Sequence, residues 1–383
     1  MPVAPCRLEA PAARPEQPSR PDMSADDALA PIRERIDAID AELLRLISER
    51  ADCARQVAKV KDAAGQTPHY YRPEREAEIL RRIKAHNPGP LDDEEIARLF
   101  REIMSACLAL ERPLAVGYLG PEGTFTQAAA LKHFGHSVRT QHFGTIGDIF
   151  REVEAGSCNF GVVPVENSTE GVVNHTLDMF ARSSLLITGE VMLRIHHHLL
   201  SRATEVGAVR RVYSHQQSLA QCRGWLDRHL PAAERVAVGS NAEAAKLAAR
   251  SGDCAAVAGE AAAELYELRS LAQRIEDEPG NTTRFLIIGR EDAPPSGRDK
   301  TSLLLSCRNE AGGLHRLLTP FADEGISMTR IESRPSRQGV WDYVFFVDVC
   351  GHRTDPKVAG ALAQLRKAAN LCKVLGSYPE AVL

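Results

Sequence analysis

With 383 residues, the chain exceeds one ordinary domain and has room for two or three, each able to bury its own core. Hydrophobic residues at 44% and charged residues at 26% are usual for globular proteins, and no apolar run approaches the roughly 20 residues of a spanning helix, so neither general disorder nor a membrane protein is indicated. A net charge of -4 without a long basic cluster argues against nucleic acid as the main partner, so anions must be met locally by particular side chains.

The 9 cysteines are scattered, form no CxxC pair and follow no secretory leader, which predicts reduced thiols and a cytoplasmic location. Residues 1–26 are rich in Pro, Ala and Arg and lack apolar periodicity, so they are expected to be disordered. Glu9 and Glu16 fit poorly with a transit peptide, and Met23 offers an alternative start.

Residues 27–112 read as three helices without strands. The first places Ile32, Ile36, Ile39, Leu43, Leu46, Cys53, Val57 and Val60 in alternating steps of four and three, the packing seam of a helix. Arg50 fills the slot between Leu46 and Cys53 where that pattern demands an apolar side chain, and a buried cation calls for an anion. Lys61 follows three turns later on the same face, about 16 Å along the axis, whereas Arg33 lies on another face and joins a shared site only if two such helices pair. A second helix starts at Arg72-Pro73 and carries Arg75 and Glu76. A third starts at Asp92, with Glu95 placed for a capping box, and its seam runs Ile96, Phe100, Ile103, Cys107, Glu111. Spacing alone equally allows a helical dimerisation domain whose Arg50 makes a structural ion pair.

The pattern of Arg33, Arg50, Lys61, Arg75-Glu76 and a polar residue ending the third helix resembles the all-helical chorismate mutases over residues 28–112. That reaction is an intramolecular rearrangement needing no cofactor or nucleophile, so the site has only to fold a dianion and stabilise charge developing on its ether oxygen. The resemblance implies that Arg50, and Arg33 from a partner chain, hold the two carboxylates, that Lys61 donates to the ether oxygen and that Glu76 accepts from the substrate hydroxyl. Three positions depart from the pattern: Cys107 stands where Ser is often found, Glu111 where Gln donates to the ether oxygen, and Arg72 where Asp occurs. An ionised Glu only accepts, so Glu111 must carry a proton to help, which predicts a mutase rate falling as pH rises.

Residues 114–290 alternate short apolar runs with amphipathic stretches, the mark of an α/β fold. Polar or glycine-rich turns border the runs: Gly120-Pro121-Glu122-Gly123-Thr124 opening a helix, whose N–H groups suit a carboxylate, then Glu166-Asn167-Ser168-Thr169, Ser214-His215-Gln216-Gln217, and Asn281-Thr282-Thr283-Arg284-Phe285 before LIIG. Singly these are ordinary turn and capping residues. In this order they resemble prephenate dehydratase, with Gln216 where the family commonly has Pro. The resemblance implies two α/β lobes like those of periplasmic solute-binding proteins, with the site in the cleft. It makes Thr283 the donor to the leaving hydroxyl and Arg284 the carboxylate anchor, with Asn167, Ser168, Thr169 and Gln217 orienting the substrate and Phe285 shielding the pocket. His196-His197-His198 invites a metal reading, but in a strand only His196 and His198 share a face, no Cys or carboxylate has ligand spacing, and no metal is expected.

Residues 291–299 read as a linker, and residues 300–379 follow the βαββαβ order of the ferredoxin-like α+β fold. Such a domain can serve as dimerisation surface alone. Ala311-Gly312-Gly313-Leu314-His315 and Glu332-Ser333-Arg334-Pro335, however, resemble the phenylalanine-binding motifs of ACT regulatory domains, the first departing at Gly313 and His315. Together the resemblances imply a bifunctional chorismate mutase and prephenate dehydratase of phenylalanine biosynthesis, dimeric, without cofactor and inhibited by L-phenylalanine. The alternatives are a cytosolic amino-acid sensor whose lobes bind without turnover, and a dehydratase whose mutase module has decayed.

Overall fold

The computed structural model describes residues 25–63, 71–308, 310–335 and 343–383. The disorder expected of residues 1–26 and the alternative start at Met23 fall outside these, except that Ala25 and Asp26 already belong to the first helix. The chain divides into two units, residues 1–52 and 53–383.

Helix α1 (Ala25–Ala63) supplies all that is described of the first unit. There Ile32, Ile36, Ile39, Leu43 and Leu46, the apolar seam of the helix, are between 44% and 56% exposed. Arg45 ties its polar side together through Glu42 and Glu49 at 2.7 and 2.9 Å.

The second unit holds the end of α1, then α2 (Pro73–Ala85) and α3 (Asp93–Glu111). Pro73 begins α2 where a missing N–H costs nothing, and Asp92 caps α3 by accepting from Glu95 N at 2.8 Å. Leu80, Ala97 and Met104 form a small core between α2 and α3, closed by Val382 and Leu383.

Two α/β lobes follow. The first contains β1 (Ala115–Leu119), α4 (Phe125–Phe134), β2 (Arg139–Phe143), α5 (Ile146–Ala155), β3 (Phe160–Asn167), β4 (Gly171–Val172), α6 (Asn174–Arg182) and β5 (Leu186–Arg194). The chain then crosses to a second lobe of β6 (His198–Ser201), β7 (Arg211–His215), α7 (Gln216–Gln221), α8 (Arg223–His229), β8 (Glu234–Val238), α9 (Asn241–Ala248), β9 (Cys254–Ala258), α10 (Glu260–Leu265) and β10 (Arg269–Ala272). It returns as β11 (Thr282–Gly289), which inserts antiparallel between β3 and β5, giving a first sheet ordered β2-β1-β3-β11-β5 with β4 paired to β3. The second sheet is ordered β10-β6-β9-β7-β8, and its β9, CAAVA, is buried at every position, as a central strand must be.

Asn281–Phe285 was expected as a turn before the LIIG strand, but the strand already begins at Thr282. Conversely, residues 195–197 form no strand, so the alternation argument for His196 and His198 does not apply.

The C-terminal elements are β12 (Asp299–Ser306), α11 (Gly313–Asp323), β13 (Met328–Pro335), β14 (Tyr343–Cys350), α12 (Pro356–Ala368) and β15 (Leu371–Pro379). Their sheet order, β13-β14-β12-β15, is ferredoxin-like. Strand alternation gives the sheet two apolar faces: Leu303, Leu305, Val347 and Val349 meet the helices, while Leu304, Phe346, Leu375 and Tyr378 join the core of the first lobe. β15 runs so close to β5 that a Cβ on Gly376 would lie 2.1 Å from Ile187 O, a contact only glycine permits.

Candidate active site

In the first unit Arg33 is exposed and 3.6 Å from Asp26, and Arg50 is half-buried. In the second unit Lys61 and Glu111, fifty positions apart, meet at 3.1 Å, so the expected ether-oxygen donor and its unusual neighbour are brought together. Cys107 is buried one turn before Glu111. Arg75 on α2 and Arg72 just before it are both exposed, paired to Glu78 at 3.1 Å and Glu74 at 2.6 Å.

Glu76 is paired with a cation. Its carboxylate lies 2.6 Å from the Arg101 guanidinium, both side chains nearly buried, and it borders a cavity lined by Tyr71, Lys132 and His133. The apolar spacing Ile96, Phe100, Ile103 does not reveal Arg101, because the buried face of α3 runs Ala97, Arg101, Met104. Small Ala97 hid a second cation at an apolar slot.

In the first lobe the end of β3 meets the start of β11, Asn167 opposite Thr283. Asn167 Nδ2 donates to Thr283 Oγ1 at 2.8 Å and to Asn281 Oδ1 at 2.7 Å, and its Oδ1 accepts from Thr169 N, Thr169 Oγ1 and Glu170 N at 3.0, 2.7 and 3.1 Å. Ser168 locks the two strands by donating its N–H to Thr282 O and accepting from Thr282 N, each at 2.9 Å. The Thr283 hydroxyl, already an acceptor here, has its own proton to give to another group.

The second lobe reaches this cluster through Gln221. Its Nε2 donates to Thr169 Oγ1 at 3.2 Å and Glu170 Oε1 at 3.3 Å, while Oε1 accepts from Asn281 Nδ2 at 3.2 Å and faces His197 Nε2 at 2.9 Å. An accepting oxygen requires His197 Nε2 to donate, and burial lowers the ring's pKa, so His197 is the neutral Nε2–H tautomer. Phe125 packs edge-on against it at 5.6 Å. Gln217, the glutamine chosen from the sequence, is instead exposed on α7 with its N–H directed to His215 Nδ1; Gln221, one turn later, makes the contacts.

Three other expectations are corrected by geometry. Arg284 neighbours Thr283 on a strand and therefore points to the opposite face, buried against Glu190, Asp348 and Tyr378, away from the cleft. Phe285 is buried in the lobe core with Tyr118, Ala129, Phe134 and Val191. The start of α4 is capped by its own residues: Gly123 N donates to Gln127 Oε1 at 2.6 Å and Gln127 N to Thr124 Oγ1 at 3.5 Å.

In the C-terminal sheet Gly312 caps α11 with φ of +79°, and a Cβ on Gly313 would lie 2.8 Å from Arg308 O, so both glycines answer to local geometry. Gly312, Gly313 and Leu314 border a hollow with Cys307 and Tyr343, and the adjoining hollow, which shares those two residues, is lined by Arg334 and Pro335. Arg334 bonds Asp178 at 2.8 Å and Asn174 O at 2.7 Å on α6, Glu332 is half-buried, and Ser333 is exposed. Four residues earlier Arg330 reaches Glu166, beside Asn167, at 3.0 Å. Among the described residues no group of three or more His, Cys, Asp or Glu has the arrangement of a metal site; His196 bonds Glu276 at 2.7 Å instead.

Comparison with known proteins bears directly on these three regions. Residues 32–112 match the family of chorismate mutase type II, residues 116–293 prephenate dehydratase, and residues 301–367 the ACT domain. The bifunctional chorismate mutase/prephenate dehydratase of Pseudomonas aeruginosa is 59% identical over 365 residues, covering 94% of this chain and 100% of that protein. The chain belongs to the bifunctional chorismate mutase/prephenate dehydratase family. Its relative of that name in Escherichia coli K12 is 32% identical over 387 residues, covering 94% of this chain and 98% of the other. A solved prephenate dehydratase from Arthrobacter aurescens, in complex with L-Phe, has a TM-score of 0.65 and 35% identity, covering 70% of this chain and 90% of that one. The chain is accordingly an isomerase that forms prephenate from chorismate and a lyase that forms phenylpyruvate from prephenate. The bifunctional family's two chemistries occupy the helices and the two lobes respectively.

Proposed function

We propose that dehydration is carried by Thr283, held by Asn167 and bridged to the second lobe by Gln221. When prephenate loses its ring hydroxyl, the C–O bond breaks as the C–CO2 bond gives its electrons to the ring, which becomes aromatic. A hydroxyl donor at the departing oxygen stabilises it as it leaves, and a dry cleft strengthens that bond. The observation that supports this reading is the Asn167 Nδ2 to Thr283 Oγ1 bond, which fixes the threonine as acceptor and leaves its proton for the substrate. Thr283→Ala is expected to cost roughly 100-fold or more in dehydration while prephenate still binds; unchanged turnover in that variant would refute the assignment.

For the rearrangement, Lys61 donates to the ether oxygen, Arg50 holds one carboxylate, and Arg33 of a second copy holds the other. The exposed seam of α1 supports a homodimer, since apolar surface at that spacing gains most by pairing with its like. For regulation, L-phenylalanine binds at Gly312-Gly313-Leu314 and the Glu332-Ser333-Arg334-Pro335 end of β13, as the ACT match and the L-Phe complex of the Arthrobacter relative support. We place the protein in the cytoplasm; among the described residues no helix is long and apolar enough to cross a membrane.

A further inference from the structure

Arg284 faces away from the cleft, yet it adjoins Thr283 and ends in a buried charge cluster. Its Nε donates to Glu190 Oε2 on β5 at 2.9 Å, one terminal nitrogen to Asp348 Oδ2 on β14 at 2.5 Å, and the other to Tyr378 OH on β15 at 3.0 Å. Beyond these, Ser302 on β12 bonds Asp348 Oδ1 at 2.5 Å and Tyr378 OH at 2.7 Å, while Glu190 Oε1 accepts from Lys300 Nζ at 2.7 Å and Ala381 N at 3.2 Å. Arg284, Glu190, Asp348 and Tyr378 are 8%, 3%, 4% and 0% exposed. Burial opposes the Arg284 charge, but the acidic groups around it outweigh that and hold the guanidinium protonated.

Two cations, Arg284 and Lys300, balance two anions, Glu190 and Asp348, so the cluster is neutral. Against well-packed apolar residues such a cluster adds little net stability; what a rigid guanidinium fork adds is geometry. The fork acts where the register of β11 with β3 shifts, between Arg284 and Phe285, while the pairing of β11 with β5 runs unbroken from Thr282 to Ile287. A bulge bends its strand, so the hold of the β3 ladder on the Thr283 end is shared with β5 and with the Arg284 fork.

We propose that Arg284 is a positioning residue of the dehydration step: anchored in the C-terminal sheet through Asp348 and Tyr378, it sets the place of the Thr283 hydroxyl. This rests on the role given to Thr283 above. It makes the C-terminal sheet part of the dehydratase machinery, acting on the rate of the chemical step without touching substrate.

The test compares Asp348→Asn, Tyr378→Phe and Thr283→Ala with the parent full-length chain, measuring dehydratase kcat and KM on prephenate and, as a folding control, the mutase rate on chorismate. Asp348→Asn is expected to lower dehydratase kcat by on the order of 10–100-fold, the cost of a small misplacement, with KM and the mutase rate unchanged. Should Asp348→Asn also lower the mutase rate, Tyr378→Phe decides, since it removes one hydroxyl and must lower kcat severalfold at unchanged KM. Parental kcat in both variants, or a raised KM with kcat retained as loss of a substrate contact gives, overturns the proposal. Dehydration surviving in Thr283→Ala would instead overturn the site assignment beneath it.

Discussion

A hydroxyl group bonded as Thr283 is can be read for direction, because the amide of Asn167 fills its accepting side. The same reasoning applies to Glu111, whose carboxylate sits 3.1 Å from Lys61 in the place where the mutase pattern has a donor. Glu111→Gln supplies that donor at every pH. The mutase rate of Glu111→Gln is expected to exceed the parent's; steady-state assays on chorismate check this, and a rate at or below the parent's refutes it. His133 gives a stability prediction. Burial, reinforced by the Arg101 charge, holds its pKa well below 6.5, and it accepts from Tyr71 OH or donates to it at 2.9 Å as a neutral ring. The unfolded chain takes up a proton near 6.5 that the folded chain refuses, so this contribution is complete above that pH and drains away below it. Thermal melting should fall from neutral to mildly acidic buffer, and less steeply in His133→Gln. At this scale the sequence was a partial guide. Thr283, Asn167, Ser168 and Thr169 stand together, but Arg284 does not join them: the resemblance that names both Thr283 and Arg284 does not say that they are consecutive on a strand, whose alternation sends them to opposite faces. The SHQQ motif names Gln217, and nothing in it says that Gln221, a turn later on α7, bonds Thr169 and Asn281.

The elements themselves were far more legible, because periodicity is a local property. Pro73 and Asp92 begin their helices where the sequence places them, and the six C-terminal elements follow the expected βαββαβ order. What periodicity does not carry is the partner of each face. The α1 seam is a case in point: its leucines and isoleucines stay exposed on the single chain. Replacing Leu43 by Lys removes about 2 kcal/mol of apolar burial per chain from any paired state. Sedimentation should then detect weaker self-association and assays a reduced mutase rate with dehydration retained; a mutase rate untouched by Leu43→Lys would separate α1 pairing from catalysis. On β13, Arg334 and Arg330 bond Asp178 and Glu166 of the first lobe, so the strand assigned to phenylalanine also grips the strand bearing Asn167. Arg334→Ala is expected to raise the phenylalanine concentration for half-inhibition by on the order of tenfold, the scale of one charge-assisted hydrogen bond, as inhibition curves would register.

Across the whole molecule, three kinds of patterning in one chain pointed to three architectures, and each is present. The docking of the C-terminal sheet on the first lobe was not foreseeable, since it depends on Leu304, Phe346 and Tyr378 facing outward from one sheet and on Gly376 admitting β5 at van der Waals range, none of which has a sequence signature. Nor was the return of Val382 and Leu383 to the core of α2 and α3, which brings the last residues described back to the helices. The central claim is that one chain carries chorismate through two chemistries in separate places, the second depending on Thr283. Supplying chorismate to the purified Thr283→Ala chain and following both products tests it most directly. Prephenate should accumulate at the parental rate with almost no phenylpyruvate; phenylpyruvate formed as fast as in the parent would contradict the account.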